Sequence, residues 1–192
     1  DLESLQRPET ITGILGVPVT DLDLEQVLDF QRLMCGGTIQ ATRLVRSTGC
    51  VTVHLGGGFH HAGRDRGTGF CILNDVAVAI ARLRQRGFAD NVLVVDLDLH
   101  DGNGTRQIFA ADQTVHTFSI HNQSWGDEEA VASTAIALGT GVGDEVYLGT
   151  LLKTLPGVVE AHRPRLIVYI AGCDVADDDR LGDWRISAAG IF

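Results

Sequence analysis

"VLVVDLDLHDGNGT", Val92 to Thr105, is the stretch that decides the fold. Four apolar residues run straight into Asp96, Asp98 and His100, placed two apart. The apolar run reads as a buried strand, and "GTRQIFAA" behind it as a short helix. Strand residues two apart face the same way, so three polar, metal-competent side chains share one face at a strand end.

Outward from this unit the chain alternates in the same manner. Upstream, "LEQVLDFQRLMCGGTIQATRLVRSTG" (Leu24–Gly49) reads as helical, interrupted at Gly36–Gly37. "CVTVHL" is expected to be a short strand, followed by the glycine-rich turn "GGGFHHAGRDRGTG". "FCILNDVAVAIARLRQRG" takes helical periodicity from about Asn74, with Gly87 as its C-cap. Downstream, "TVHTFSIH" reads as a strand and "GDEVYLGTLLKTLPGVVEAH" as a helix that Pro156 kinks or divides. "RLIVYIAGCD" is a last strand, and "SAAGIF" starts one more helix. Residues 1–24 are turn-rich and weakly patterned. Strands alternating with helices imply βαβ units, a parallel sheet and an α/β fold. In such sheets function gathers beyond the carboxyl ends of strands. Gly56–His61, Asp96–Asn103 and Cys173–Asp179 all fall at such ends.

The 192 residues suffice for one domain, residues 1–192, with a sizeable core. A net charge of −10 argues against a general nucleic-acid binder, which needs a basic stripe to neutralise phosphates. Cys35, Cys50, Cys71 and Cys173 have no CxxC spacing, and read as reduced, mostly buried thiols of a cytoplasmic protein. There is no secretory h-region and no apolar stretch of membrane-spanning length. Asp1 is not a natural start residue, so the chain reads as processed, trimmed or cut from something longer.

A carboxylate and an imidazole, Asp98 and His100, suit a catalytic metal that needs three protein ligands. Asp174, at the end of "LIVYIAGCD", is the best third ligand, because a parallel strand brings its end to the same rim. Such a site can hold zinc, iron(II) or another divalent ion. The competing reading makes Asp98 and His100 loop-capping residues. His60–His61 after three glycines can bind metal, do acid–base work, or form a solvated surface turn. Asp96 and Asn103 are candidate partners for the two imidazoles. His116 belongs to the sheet, His162 to a helix end or the surface, and His121 to the site rim. "DVADDDRLGD" reads as a solvated, capping-rich loop that Asp174 opens.

"GGGFHHA", "GFCILNDVAVAI", "VLVVDLDLHDGNGT", "TFSIH" and "YIAGCDVADDDRLGDWRIS" occur in the order seen in the zinc-dependent histone deacetylase family, which the chain resembles from about Gly36 to its end. The last block is most similar to class IV deacetylases and their bacterial relatives. The resemblance implies the arginase/deacetylase fold, a three-layer α/β/α arrangement, incomplete here at both ends. It implies Asp98, His100 and Asp174 as zinc ligands. It also implies His60 and His61 as the catalytic pair, His61 the general base, with Asp96 behind His60 and Asn103 behind His61. Gly58 and Phe70 match residues lining an acyl-lysine tunnel. A structural potassium ion is implied at Asp96, Asp98, the Ser119 hydroxyl and backbone oxygens of His100 and Ile120. The implied substrate is an acylated lysine of a protein or an acylated small amine, with neither nucleic acid nor membrane as partner.

The chain departs from the pattern in places. Asp101 stands where many relatives have a second His, and Asn103 where many have Asp. The family's Gly-Gly-Tyr loop is expected well beyond the third ligand, and neither Tyr147 nor Tyr169 matches it. The first strand-and-helix segment of the family is not matched either. The chain is therefore expected to be an internal piece of a deacetylase domain, weak or inactive by itself. The rival readings are a two-metal ureohydrolase of the arginase type and a module that binds acyl-lysine or acyl-amine without turnover.

Overall fold

The computed structural model describes residues 3–126 and 129–192. Asp1 and Leu2, part of the stretch expected to be turn-rich, lie outside the described residues. The chain forms two compact units, one ending at Phe88 and one beginning at Ala89.

The first unit is helical. Contrary to the turn-rich expectation, its amino end forms a 3-10 turn, Ser4–Gln6, and helix α1, Pro8–Leu15. Pro8 stands in the first turn, where its missing N–H is no loss, and Gly16 ends the helix with φ +68°. Helix α2 then runs unbroken over Asp21–Thr48, without the expected interruption at Gly36–Gly37. A Cβ at Gly37 would collide with the His54 ring, so this glycine permits a close approach. Leu24, Leu28, Gln31, Cys35, Thr38 and Thr42 form the buried stripe of α2, spaced alternately four and three apart. Leu24 and Leu28 pack with Ile11 and Ile14 of α1 and with Ile72. Helix α3, Asp75–Gln85, is capped by Asn74, whose side chain accepts from the Ala77 N–H. Gly87 follows its end at φ +83°.

"CVTVHL" is not a strand. It is held against α2, the Thr52 hydroxyl donating to the Ala41 carbonyl (3.0 Å) and His54 Nδ1 meeting Thr38 Oγ1 (3.0 Å). Val51, Val53 and Leu55 are 92%, 79% and 96% exposed. An apolar, alternating sequence becomes a strand only where a neighbouring backbone pairs with it, and no described strand does so here.

The second unit holds the expected parallel sheet. Its strands are β1, Val92–Asp96; β2, Val115–His121; β3, Ser133–Ala137; and β4, Leu166–Ile170. The order is β3-β2-β1-β4 and every pairing is parallel. Central β1 is buried on both faces, which explains its unbroken apolar run. Strand β3 had no sequence-level signal, since "STAIA" carries small side chains and only partial burial. Helix α5, Asp144–His162, brings Leu148, Leu151, Leu155 and Val158 against the cluster of Leu93, Val95, Phe118 and Ile120. Pro156 neither divides nor ends it. The carbonyl it leaves without a helical partner belongs to exposed Leu152, where water can satisfy it. Helix α4, Asn103–Ile108, follows β1, and the short α6, Ala188–Ile191, closes the chain. None of the four cysteines forms a disulfide; Cys35 and Cys71 are buried, whereas Cys50 and Cys173 are exposed, so the expected burial holds for two of them. Among the described residues, no helix is long and apolar enough to cross a membrane.

Candidate metal site and histidine pair

Strand β1 ends at Asp96, two residues before the first proposed ligand. The expectation that Asp96, Asp98 and His100 continue one strand face is therefore corrected. The Leu97 N–H still bonds to the Ile170 carbonyl (3.0 Å), extending the β1–β4 ladder by one step. The chain then turns, because carboxylates capture the amides that would continue it. Asp96 Oδ1 accepts from Asp98 N–H (3.2 Å), and Asp98 Oδ1 from His100 N–H (2.8 Å). Asp174, four residues beyond β4, reaches across with Oδ1 to the Leu99 N–H (3.1 Å). The ends of two adjacent parallel strands thus converge as the sequence predicted.

Asp98, His100 and Asp174 each offer one ligand atom, and these atoms lie within 4.8 Å of one another. His100 Nδ1 stands 2.9 Å from Asp174 Oδ2 and 3.2 Å from Asp98 Oδ1. The hydrogen bond to Asp174, then that to Asp98, raises the His100 pKa to about 10, against a smaller lowering by burial. A proton on Nδ1 lies between two carboxylates, where the site favours positive charge. Two carboxylates and an imidazole, with no thiolate, fit a borderline or hard divalent ion. Gly172 and Gly182, which sequence reasoning missed, make the convergence possible. A Cβ on Gly172 would overlap the Asp98 backbone and carboxylate, and one on Gly182 would strike the Asp174 carbonyl. The signal was present only as glycines flanking "CD" and "RL".

Around this cluster the departures from the resembled pattern find a partner. Asp101 forms a buried bidentate pair with Arg106 of α4, at 2.6 and 2.7 Å. Asp101 Oδ2 also accepts from the Trp125 N–H (3.1 Å), and the Trp125 ring meets His100 edge-on at 5.5 Å. Burial alone would raise the Asp101 pKa; the Arg106 hydrogen bond, the Trp125 N–H and nearby positive charge outweigh it and hold it low. His121 is fully buried, its Nδ1 2.9 Å from Ser119 Oγ, and so does not face the rim as expected. Asp96 pairs with Ser119 in the sheet register, and both line a small cavity of about 10 Å³ with Thr105 and Thr117. Ile120 is buried in the sheet beside Ser119, and Asn103, also buried, opens α4. The acid-rich loop behaves as predicted, Asp179 Oδ1 accepting from Leu181 and Gly182 N–H groups (2.8 and 2.7 Å). His116 meets Thr134 at 3.0 Å and His162 at 5.4 Å between rings, at the opposite end of the strands.

In the first unit, His60 and His61 are 4% and 5% exposed, which overturns the surface-turn alternative. Their rings lie 4.1 Å apart, tilted by 50°. Gly58 sits at φ +96°. Phe70 is 67% exposed, at the strained φ of +67°, and its N–H donates to the Ile14 carbonyl (3.1 Å). A Cβ on Gly69 would enter the His61 ring, so that glycine also shapes the pair's surroundings.

Comparison with known proteins agrees with the order of motifs. A family profile described as histone deacetylase domain matches residues 20–192, running through both units and starting ahead of Gly36. An uncharacterized protein of Picosynechococcus sp. is 39% identical over 158 residues, covering 82% of this chain and 52% of that protein. Histone deacetylase 2 of Arabidopsis thaliana is 33% identical over 201 residues, 99% of this chain and 51% of that protein. Histone deacetylase 8 of Xenopus laevis is 30% identical over 200 residues, 96% of this chain and 60% of that protein. The chain spans about half the length of the curated relatives it matches. With two thirds of it and more matched by the profile and by named relatives, the chain belongs to the histone deacetylase family.

Proposed function

We propose that this chain carries the catalytic residues of a zinc-dependent deacetylase, which hydrolyses the amide of an acylated lysine or a related acylated amine. The observation that carries the reading is the convergence of Asp98, His100 and Asp174 from two strand ends. These three would hold the divalent ion, zinc or iron(II), which when bound polarises the amide carbonyl and acidifies water. His61 accepts the proton of the attacking water, and a protonated imidazole of the pair donates to the leaving amine. Two adjacent imidazoles supply one group to take a proton and one to give it. In this reading Asp96 orients His60 and Asn103 orients His61, while Gly58 and Phe70 line the path of the acyl-amine. Potassium is assigned to Asp96, Asp98, Ser119 and the backbone oxygens of His100 and Ile120. The Asp96–Ser119 register supports that assignment.

The net charge of −10 suits a cationic amine or a basic protein tail better than nucleic acid. Four cysteines that form no disulfide suit a reducing, cytoplasmic setting. The two units would then serve one domain. The test is elemental analysis of the purified chain beside Asp174→Ala, with hydrolysis of an acetyl-lysine peptide and an acetylated polyamine. About one zinc or iron per chain, lost in the variant, supports the site; two ions per chain would favour a ureohydrolase-type cluster. Full metal retention in Asp174→Ala refutes the ligand assignment. Tight peptide binding without product would favour the module that does not turn over.

A further inference from the structure

The turn that carries the histidine pair is pinned from the start of α3. Asp75, the first residue of that helix, is 1% exposed. Its Oδ1 accepts from two consecutive backbone groups, Gly58 N–H (3.0 Å) and Phe59 N–H (2.8 Å), immediately ahead of His60. Its Oδ2 takes the proton of the Thr38 hydroxyl at 2.6 Å, from the buried stripe of α2. With that proton committed, Thr38 Oγ1 can accept from His54 Nδ1 at 3.0 Å. On the far side of the pair, Asn74 Nδ2 donates to the Ala62 carbonyl (3.1 Å) while its Oδ1 caps α3. Adjacent residues of one helix start thus hold the backbone before and after His60–His61. Gly57 leaves no room for a Cβ beside the Asp75 carboxylate and the Thr38 hydroxyl, so the turn closes directly onto the clamp.

We propose that Asp75, oriented by Thr38, is a positioning residue for the His60–His61 pair, fixing both imidazoles through the Gly58–Phe59 backbone. The physical reason is economy of motion. A carboxylate buried among charge-assisted hydrogen bonds has no alternative partners, so the two amides it holds cannot rotate without leaving it unsatisfied. The proposal rests on the reading of the pair as the acid–base groups. Proton transfer to and from substrate tolerates little displacement: about 1 Å of misplacement can lower a rate about 100-fold. Asp75 touches no reacting atom in this scheme and acts only through the turn.

The test uses the full chain with 13C-labelled histidine rings, the His60 and His61 signals assigned by their own substitution. Asp75→Ala is expected to move or broaden those two ring signals and leave those of His116 and His162 in place. In whatever turnover of an acetyl-lysine peptide the chain shows, it should lower kcat about 100-fold while changing KM about threefold or less. Asp75→Asn keeps an acceptor for the two amides and should restore most of both readouts. If Asp75→Ala does not fold, the near-isosteric Thr38→Val carries the same expectation at smaller amplitude. Unmoved His60 and His61 signals in a folded variant overturn the clamp, as does an unchanged kcat where His61→Ala abolishes hydrolysis. A His61→Ala variant that still hydrolyses the peptide would instead defeat the functional reading, while the ring signals, which need no turnover, still decide the clamp.

Discussion

Replacing Arg106 by Met isolates the buried ion pair beside the ligand loop. The Arg106 and Asp101 side chains are 6% and 0% exposed, joined by bonds of 2.6 and 2.7 Å. Met fills a similar volume, so the variant removes the charge without opening a large cavity. The Asp101 carboxylate is then left buried with the Trp125 N–H but without its guanidinium. Removing one partner of such a pair costs about 3–5 kcal/mol. For a chain of this size that is a fall in Tm of about 6–20 °C. Urea unfolding followed by tryptophan fluorescence reads it, since Trp125 and Trp184 both lie in the second unit. Asp101→Asn/Arg106→Met removes both charges and keeps an acceptor for Trp125, so its loss should be smaller than that of Arg106→Met alone. The acid limb gives a second check. Asp101 has a lowered pKa, so the pair's stabilisation is present above the usual carboxylate range and is lost as pH falls. The gap between wild type and Arg106→Met should therefore narrow toward pH 4, where the stranded carboxylate protonates. A loss below about 1 kcal/mol at neutral pH, or a gap that widens on acidification, refutes the reasoning.

Further outcomes follow from the same geometry. Gly36→Ala in α2 meets open space and should gain about 0.5–1 kcal/mol in thermal unfolding, whereas Gly37→Ala drives a Cβ into the His54 ring and should lose stability. Burial, then the neighbouring charge of His162, lowers the His116 pKa, so folding disfavours its protonation. Stability should fall as pH drops below about 6.5, and His116→Gln should flatten that part of the pH profile of Tm. Gly172→Ala forces a Cβ onto Asp98 and should reduce bound zinc, read by elemental analysis, more than Gly149→Ala, which meets nothing within 4 Å. Chelation should abolish amide hydrolysis and added zinc should restore it; recovery with potassium alone would contradict the ligand assignment.

Much of the architecture was legible in local pattern. The apolar run of β1 is long because both faces are buried, and burial on both faces is what a central parallel strand requires. Asn74 and Gly87 mark the ends of α3 because capping is a local interaction, visible within a few residues. The candidate cluster was legible for a different reason: parallel strands carry their ends to one rim, so residues 98, 100 and 174 could be joined without knowing any distance.

What failed depended on partners far along the chain. "CVTVHL" has strand composition but pairs with no described strand, because a strand is a relation between two backbones and not a property of one. Gly37 looked like a helix break, yet α2 continues because the missing Cβ makes room for His54, seventeen residues on. His121 was read toward the rim, whereas it is buried against Ser119. Asp101 was visible only as a departure until Arg106 turned toward it. The sequence by itself determined much of the order of elements, α1, β3 and "CVTVHL" apart, and the candidate cluster of Asp98, His100 and Asp174, since these follow from periodicity and residue chemistry. Tertiary structure decided which carboxylates turn inward, which glycines admit a neighbour and what holds the histidine turn, because each is settled by atoms that meet only after folding.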